Sequence, residues 1–523
     1  MKEIVSAGTM REIDRHTIES VGIPGIVLME QAAIGCFNEI KKIIDSENFE
    51  KVIIAAGSGN NGGDGFAVCR HLVHSGIIPE LLIVCDESKL KSDALTNFKI
   101  LKNLGIKILK YDRNNITAGY FDNALVIDAL LGTGITGKLK PEMSEIINLI
   151  NASNNFVVSI DIPSGLSENQ DNISVKADIT LSIGFYKDIF FSSKGIENTG
   201  KIKLIELNFF KSVLDKFSNK IFVNEILKHE LLNLIPERNS NKSNSGKILV
   251  IAGSEKYSGA AVIACQSAVE TGAGIVYCLC EEKTMNCIKY AVPEVITLKL
   301  DSVSGKISFS EYNKKIVEKY IGIADVVLTG CGLDISDDLF ELVKFILQNS
   351  VSPVILDADG INNVAGKIKF EDIDNNAGII LTPHPGEFGR LTGLKSSDIQ
   401  NDRINASDKL KLNQNSVLVL KGKYTIISDT QKKYVNFTGN SLLSIAGSGD
   451  SLAGLIAGYT AKSKYQKLIE PVKTAVFLHG AVADFLKNYE SRIAMKTSDI
   501  NQYLNKVIGV MLKKNEEIFI RPF

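Results

Sequence analysis

Histidine is scarce in this chain: six residues in 523, scattered, too few and too far apart for a histidine-built metal centre. Charge of either sign is not in excess. Fifty-nine Lys and Arg stand against 60 Asp and Glu, a net −1, which argues against nucleic acid or an anionic membrane as the main partner. No apolar run is long enough to span a bilayer. The opening "MKEIVSAGTMREIDRHTIES" is polar and carries acids, unlike a secretory leader. The eight cysteines (Cys36, Cys69, Cys85, Cys265, Cys278, Cys280, Cys287 and Cys331) include no C-x-x-C pair, and several sit in apolar runs. They are expected to be buried thiols in a reducing cytoplasm rather than a disulfide framework. Two nucleotide-binding devices are missing as well. A P-loop needs a Lys after its second glycine, and a dinucleotide fingerprint needs a third glycine at fixed spacing. In "SIAGSGDSLAGLIAG", Ser444 to Gly458, Asp450 follows Gly449, and Gly454 comes two residues too late.

Composition is otherwise ordinary for a globular protein, with 45% apolar and 23% charged residues. Length alone allows two to four domains at roughly 100–200 residues each. From Lys51 onward, short β-branched runs alternate with longer helical stretches: "KVIIAAGSGNNGGDGF", "IPELLIVC", "ALVIDALLGTG" and "NFVVSIDIPSGL". The same alternation restarts at "GKILVIAGSEKYSGAA" and continues through "AGIVYCLC", "ADVVLTGCGLD", "SPVILDADGIN", "AGIILTPHPGE" and "NSVLVLKGKYTII". Such alternation predicts α/β architecture, with parallel sheets covered on both faces. The polar stretch Arg238 to Lys247 reads as a loop or linker. The boundary is placed near Leu214 to Glu225, giving units of residues 1–215 and 225–523.

In parallel sheets, ligands sit beyond the carboxyl ends of the strands. "GSGNNGGDG" puts Asn60, Asn61 and Asp64 there beside glycine backbone. Asp128 ends another strand, and Asp161 and Ser164 stand at a third. Asn61, Asp128 and Ser164 supply hard oxygens suited to a monovalent or divalent cation. Asp161 is a candidate acid or base, and the Gly132–Gly134 turn offers backbone N–H groups to a phosphate. Each acid also reads as an ordinary helix cap, and each glycine as a turn.

Together, "LMEQAAIG", "AGSGNNGGDGF", "IDALLGTG" and "SIDIPSGL" resemble the NAD(P)H-hydrate epimerase family, the YjeF N-terminal domain, over about Met1 to Asn208. The resemblance implies a Rossmann-like three-layer fold that inverts hydrated nicotinamide at C6. By position it implies that Asn60, Asn61, Gly62, Gly63 and Asp64 contact the hydrate. It implies K+ at Asn61, Asp128 and Ser164, and phosphate on Gly132, Thr133, Gly134, Ile135, Thr136, Gly137 and Lys138. It places Asp161 at the reacting ring. Gln31 stands where that family usually carries Asn.

The glycine-rich loop before Asp450 opens a helix, where bare N–H groups favour an anion. A carboxylate there is useful as a base on a hydroxyl being delivered to phosphate, and reads equally as an ordinary helix cap. His384 lies on a proline-stiffened turn with Glu387, and Lys421 ends an apolar strand. The helix after "AGSEKYSG" is built of small residues suited to a flat ligand. These segments resemble the ADP-dependent NAD(P)H-hydrate dehydratase family, the YjeF C-terminal domain, over about Ser243 to Lys513. The resemblance implies a ribokinase-like three-layer fold with Mg2+ and ADP as co-substrate. By position it places Ala260, Ala261, Gly332 and His384 around the hydrate. Lys421, Gly422, Lys423, Tyr424, Thr425 and Gly449 fall on the nucleotide, with Asp450 as base. Cys331, Asp334, Gly360 and Ser448 depart from that family's usual Pro, Gly, Ala and Thr.

Both resemblances imply cytoplasmic repair of NADHX and NADPHX by a homo-oligomer, with no nucleic-acid or membrane partner. Competing expectations are an ATP-dependent small-molecule kinase, a non-catalytic binding role for the first unit, and a plain NAD-dependent dehydrogenase.

Overall fold

The computed structural model describes residues 2–523 except 115, 136, 170, 218–219, 237–240, 243, 374 and 464–466. The chain divides into two compact units, Glu3–Asn219 and Lys220–Phe523, the second also holding the N-terminal Met1–Lys2.

In the first unit, seven parallel strands form one sheet. Their spatial order is Ile108–Lys110, Glu80–Ile83, Lys51–Ala56, Ala124–Ala129, Phe156–Ile160, Ile179–Ile183 and Lys201–Ile205. Side chains alternate across the pleat, so each strand feeds two cores. Val52, Ile54, Leu125 and Ile127 face one, Ile53, Ala55, Ala124 and Val126 the other. That double burial is why these strands are apolar throughout. The chain winds outward from Lys51–Ala56, then crosses back to Ala124–Ala129 and continues the other way. The crevice for a ligand opens at that switch, between Gly57 and Leu130. This is the Rossmann-like arrangement expected.

The second unit is built on a ten-stranded sheet. Its order runs Ile221–Val223, Lys433–Val435, Ile426–Ser428, Val417–Leu420, Ile379–Leu381, Val354–Leu356, Val326–Thr329, Lys247–Ile251, Ile275–Cys280, Ile296–Lys299. The strands from Val417–Leu420 to Ile296–Lys299 are parallel; Ile426–Ser428 runs antiparallel to both its neighbours. Winding reverses between Lys247–Ile251 and Val326–Thr329. This is the expected α/β architecture on a largely parallel sheet. The described part of the polar stretch Arg238 to Lys247 lies inside this unit and ends in its first central strand.

Small residues in two helices, Ser258–Glu270 and Ser448–Lys462, serve packing. A Cβ on Gly454 would sit 2.3 Å from the Ala264 carbonyl oxygen, and one on Gly458 2.1 Å from Thr271 Oγ1. The helices touch backbone to side chain there, and Ala261, Ala264 and Ala268 are fully buried between them and the sheet.

Candidate active sites

The first site grows from three strand ends. After Ala56 the chain turns through Gly57 and Gly59 into the helix Asn60–His74. A Cβ on Gly62 would lie 2.0 Å from the Gly57 carbonyl oxygen, so this tight strand-to-helix turn requires glycine. Beyond it opens a cavity of about 560 Å3, lined by Asp14, Asn60, Asn61, Asp64, Gly132, Thr133, Gly134, Ile135, Lys138 and Asp161 among others. Gly62 and Gly63 are buried in the helix beneath this wall, and Thr136 lies outside the described residues. Arg11 donates to the Thr133 carbonyl at 2.6 Å, holding the Gly132–Gly134 turn.

Asn61 and Ser164 converge on Leu131, and Asp128 joins them through Ser164. Asn61 Nδ2 donates to the Leu131 carbonyl at 2.9 Å, while Leu131 N–H donates to Ser164 Oγ at 2.8 Å. Asp128 is fully buried. It accepts from Ser164 Oγ at 2.5 Å, Ser164 N at 2.9 Å, Ser159 Oγ at 2.8 Å and Leu130 N at 3.2 Å. Burial pushes its carboxyl up, and these hydrogen bonds work against that. Asn61 Oδ1 is buried with no hydrogen-bond partner. An orphaned amide oxygen beside a buried carboxylate fits a hard cation.

Asp161 is the strained member. Its φ is +66°, in the left-handed region that a non-glycine residue enters only when held there. What holds it is Lys187, whose fully buried ammonium donates to Asp161 Oδ1 at 2.5 Å, to the Ile183 carbonyl at 2.6 Å and to Ser182 Oγ at 3.3 Å. All three ammonium donors are used. Two further carboxylates face the pair. Asp14 is pushed up to about 6, by burial first and by the Asp161 charge second, with Lys187 opposing. Asp64 is raised well above the usual range by burial, then by Asp161 and Asp14. Asp14 and Asp64 thus stand beside the Asp161–Lys187 pair with their carboxyls raised by burial and by the Asp161 charge. Asp14 and Lys187 were not singled out in the sequence. Asp14 lies on a surface-patterned helix, and Lys187 is a lone basic residue in "GFYKDIF".

The second site centres on Asp357, which ends the Val354–Leu356 strand and is almost fully buried. Its Oδ1 accepts from Lys421 Nζ at 2.6 Å and from Thr382 Oγ1 at 2.7 Å. Lys421 Nζ also lies 4.0 Å from Glu387 Oε2, and the two acids outweigh its burial and raise its pKa. Asp450 stands in the first turn of Ser448–Lys462. Burial and the charge of Asp357 push its carboxyl up to about 6, against the pull of Cys331 and Lys421. A Cβ on Gly449 would lie 3.2 Å from Lys421 Nζ, so the bare backbone of that loop faces the lysine.

Two residues hold the loop. His479 is buried and its pKa falls to about 4, so it is neutral; its Nε2 lies 3.1 Å from the Ser448 carbonyl, to which it donates. Thr497 Oγ1 donates to the Ala446 carbonyl at 2.6 Å.

The other expected residues surround this centre. His384 is an exposed helix cap. Its Nδ1 accepts from Gly386 N at 2.9 Å, its own N–H donates to Glu387 Oε2 at 2.8 Å, and partial desolvation of the ring, with the charges of Lys421 and Arg390, lowers its pKa. Gly332, at φ +64°, packs on Tyr257 and half-buried Ala260, whereas Ala261 is fully buried in the core. The turn 421–425 is clamped by buried Arg403, which donates to the carbonyls of Leu420 at 2.8 Å, Lys421 at 2.9 Å and Lys423. Within it, Thr425 Oγ1 donates to the Gly422 carbonyl at 2.9 Å, and the Tyr424 ring packs on Phe437. Asp334 is held below its usual pKa although burial works upward: Ile335 N–H and Lys306, 3.1 Å away, stabilise its charge. Gly360 sits where a Cβ would meet the Thr329 carbonyl at 2.8 Å.

Among the described residues, no helix is long and apolar enough to cross a membrane. All eight cysteines are free thiols.

Comparisons with known proteins bear on both sites. Residues 25–189 match the family model of the YjeF-related protein N-terminus, and residues 248–506 match that of NAD(P)H-hydrate dehydratase. The bifunctional NAD(P)H-hydrate repair enzyme Nnr of Moorella thermoacetica is 29% identical over 98% of this chain and 98% of its own. The enzyme of the same name from Dictyoglomus turgidum is 30% identical over 98% of this chain and 99% of its own. Among solved structures, an ADP/ATP-dependent NAD(P)H-hydrate dehydratase from Bacillus subtilis, co-crystallised with ATP/Mg2+, is 27% identical. It covers 54% of this chain and 96% of its own, with a TM-score of 0.46.

Proposed function

We propose two linked activities for this chain, which belongs to the bifunctional NAD(P)H-hydrate repair enzyme family: epimerisation of NAD(P)HX at C6 by residues 1–215, and ADP-dependent dehydration of the S epimer by residues 225–523. The observation that carries the reading is a shared design. In each unit an acid at a strand end is paired with a lysine, Asp161 with fully buried Lys187 and almost fully buried Asp357 with half-buried Lys421.

Inverting C6 requires its hydroxyl oxygen to leave one face and return on the other, with one proton given and one taken back. A carboxyl that points into the cavity and is pinned by Lys187 does both at one place. Asn60, Asn61 and Asp64 orient the hydrate, and the Gly132–Lys138 turn receives its phosphates. Asn61 Oδ1, with Asp128 and Ser164 beside it, would hold K+, which supplies fixed positive charge near the anionic substrate.

In the second unit Asp450 takes the proton of the C6 hydroxyl as its oxygen attacks the β-phosphorus of ADP, and AMP leaves. The C6–O bond then breaks with phosphate as leaving group and a proton lost from C5, restoring the C5=C6 double bond of NAD(P)H. A base with a pKa near 6 is ionised at neutral pH yet basic enough to share that proton. The bare N–H groups of the Gly447–Gly449 loop and Lys421 stabilise charge on the transferring phosphoryl group. Mg2+ would travel with the ADP phosphates, near the oxygens of Asp357 and Asp450. Lys423, Tyr424 and Thr425 form the turn against which the nucleotide lies. The free thiols support placing this chemistry in the cytoplasm.

The test is incubation of the purified chain with an epimeric mixture of NADHX, ADP, Mg2+ and K+, following reduced nicotinamide and AMP. Full conversion by the native chain, half by Asp161→Asn and none by Asp450→Asn is the expected pattern. A stable phosphorylated product without recovery of reduced cofactor would assign the second unit to a kinase instead.

A further inference from the structure

Cys331 brings sulfur into the centre of the second site. It follows the Val326–Thr329 strand, at the point where the winding of the sheet reverses, and it is fully buried. Its Sγ lies 3.8 Å from Asp357 Oδ2. Ligand atoms of Cys331, Asp357 and Asp450 all lie within 4.8 Å of one another. They come from three separate elements: the loop after one strand, the end of the next, and the first turn of Ser448–Lys462.

The division of labour within Asp357 is informative. Both hydrogen-bond donors that orient it, Lys421 Nζ and Thr382 Oγ1, use Oδ1. Oδ2 is left facing the thiol. This is the arrangement of a metal-ligating carboxylate whose far oxygen is fixed by an outer partner. A tetrahedral cation with sulfur at about 2.3 Å and oxygen at about 2.0 Å sets a sulfur-to-oxygen distance of about 3.5 Å. The Cys331–Asp357 separation of 3.8 Å is within a few tenths of an ångström of that. Asp450 is half-buried whereas Cys331 and Asp357 are buried, so its side of the cluster is the one solvent reaches and gives a cation its way in. Sulfur selects the cation. A thiolate with two carboxylates suits a thiophilic divalent ion of the zinc class, not Mg2+, which demands oxygen.

We propose that Cys331, Asp357 and Asp450 bind a thiophilic divalent cation of the zinc class, three protein ligands with one position open, and that this cation shuts the second site reversibly by occupying Asp450. Binding forms one metal–sulfur and two metal–oxygen bonds. It breaks the Cys331 S–H bond, and the proton passes to solvent. No electron is transferred. Removal of the ion by a chelator restores the free acid and thiol.

Cobalt(II) and zinc are the probes, applied to the full-length chain. Cobalt titration is expected to give a sulfur-to-cobalt charge-transfer band in the near ultraviolet that zinc abolishes at one equivalent. The band is expected to be absent from Cys331→Ala. That control is needed because seven other free thiols are present, Cys265, Cys278 and Cys280 lying together in the core. Calorimetry is expected to show zinc affinity falling in Cys331→Ala by at least the roughly 100-fold that loss of an outer-shell partner reaches. Asp450→Asn is expected to weaken zinc as well while keeping the band. A native chain without the band, or a band that survives Cys331→Ala, overturns the site. These readings need no turnover, so they separate from failure of the dehydratase reading. Where turnover is present, zinc inhibition reversed by chelator and relieved in Cys331→Ala, each relative to its own uninhibited rate, is expected. Inhibition equal in both variants overturns the regulatory half of the proposal.

Discussion

Lys187 and Asp161 form an ion pair at the cavity wall, 2.5 Å between Nζ and Oδ1, with the lysine entirely out of solvent and the aspartate in a left-handed backbone conformation. Removing one partner leaves a charge in low dielectric with nothing to answer it. Lys187→Met is therefore expected to lower stability by about 3–5 kcal/mol and to abolish epimer interconversion. The double variant Asp161→Asn with Lys187→Met is expected to recover part of the stability and none of the activity. Thermal unfolding and resolution of the two NADHX epimers by chromatography check both halves.

Asp14 shows its environment through pH. Its folded pKa of about 6 lies above the ordinary carboxyl value of about 3.9, so the folded chain holds that proton more tightly than the unfolded one. The resulting stabilisation is complete below about pH 4 and is lost as pH rises through about 6. Asp14→Asn removes a group that is ionised at a cost at neutral pH. Its melting temperature is expected to exceed that of the native chain at pH 7.5, with the gap closing or reversing at pH 4. A constant gap across that range would contradict the linkage.

For the dehydratase half, the acid limb belongs to Asp450. With its pKa at about 6, kcat/KM is expected to fall about tenfold for each pH unit below 6. Asp357→Asn removes the neighbouring charge that raises Asp450. The limb is expected to move to lower pH, even though the maximal rate drops with the loss of the Lys421 partner. A limb that stays in place would mean Asp450 is not the titrating base.

Arg403 acts at a distance from the chemistry. Its guanidinium donates to three carbonyls around the 421–425 turn, those of Leu420, Lys421 and Lys423. Arg403→Lys keeps charge and loses the fork. The expected result is a raised KM for ADP with a smaller change in kcat, and a loss of roughly 2–4 kcal/mol in stability from unsatisfied buried carbonyls. Steady-state kinetics and denaturant unfolding separate the two effects.

Potassium is tested by stability. K+ at a hundred times its dissociation constant is expected to stabilise the native chain by about 2.7 kcal/mol. Asn61→Ala removes the orphaned acceptor and is expected to lose most of that gain, whereas the Na+ and K+ curves of the variant coincide.

Much of the scaffold was legible in the sequence. Runs such as "VIIAA", "ALVIDA" and "KILVI" are apolar on both alternations because both faces of a parallel sheet are covered, so residue type alone identifies them. The polar groups at the ends of such runs, Asn61, Asp64, Asp128 and Asp161, follow from the rule that ligands lie beyond strand ends, and Asp450 from a glycine-rich loop that opens a helix. The small residues of the helix after "AGSEKYSG" suggested a flat ligand, whereas in the fold they pack against the helix Ser448–Lys462. Gly454 and Gly458 meet a neighbouring helix.

What the linear chain determined by itself was therefore the period, the punctuation and the inventory: where strands run, where they stop, and which polar groups stand at the stops. These are local properties, set by neighbours two to four positions away. Only the tertiary structure decided which groups meet. Lys187 reaches Asp161 across 26 residues, Lys421 reaches Asp357 across 64, and Cys331 lies beside Asp357, 26 residues on, because the strands that precede them are adjacent in the sheet. Pairing energies, pKa shifts and ligand geometry depend on separation in space and on exclusion of water, and neither exists until the sheet has closed over them.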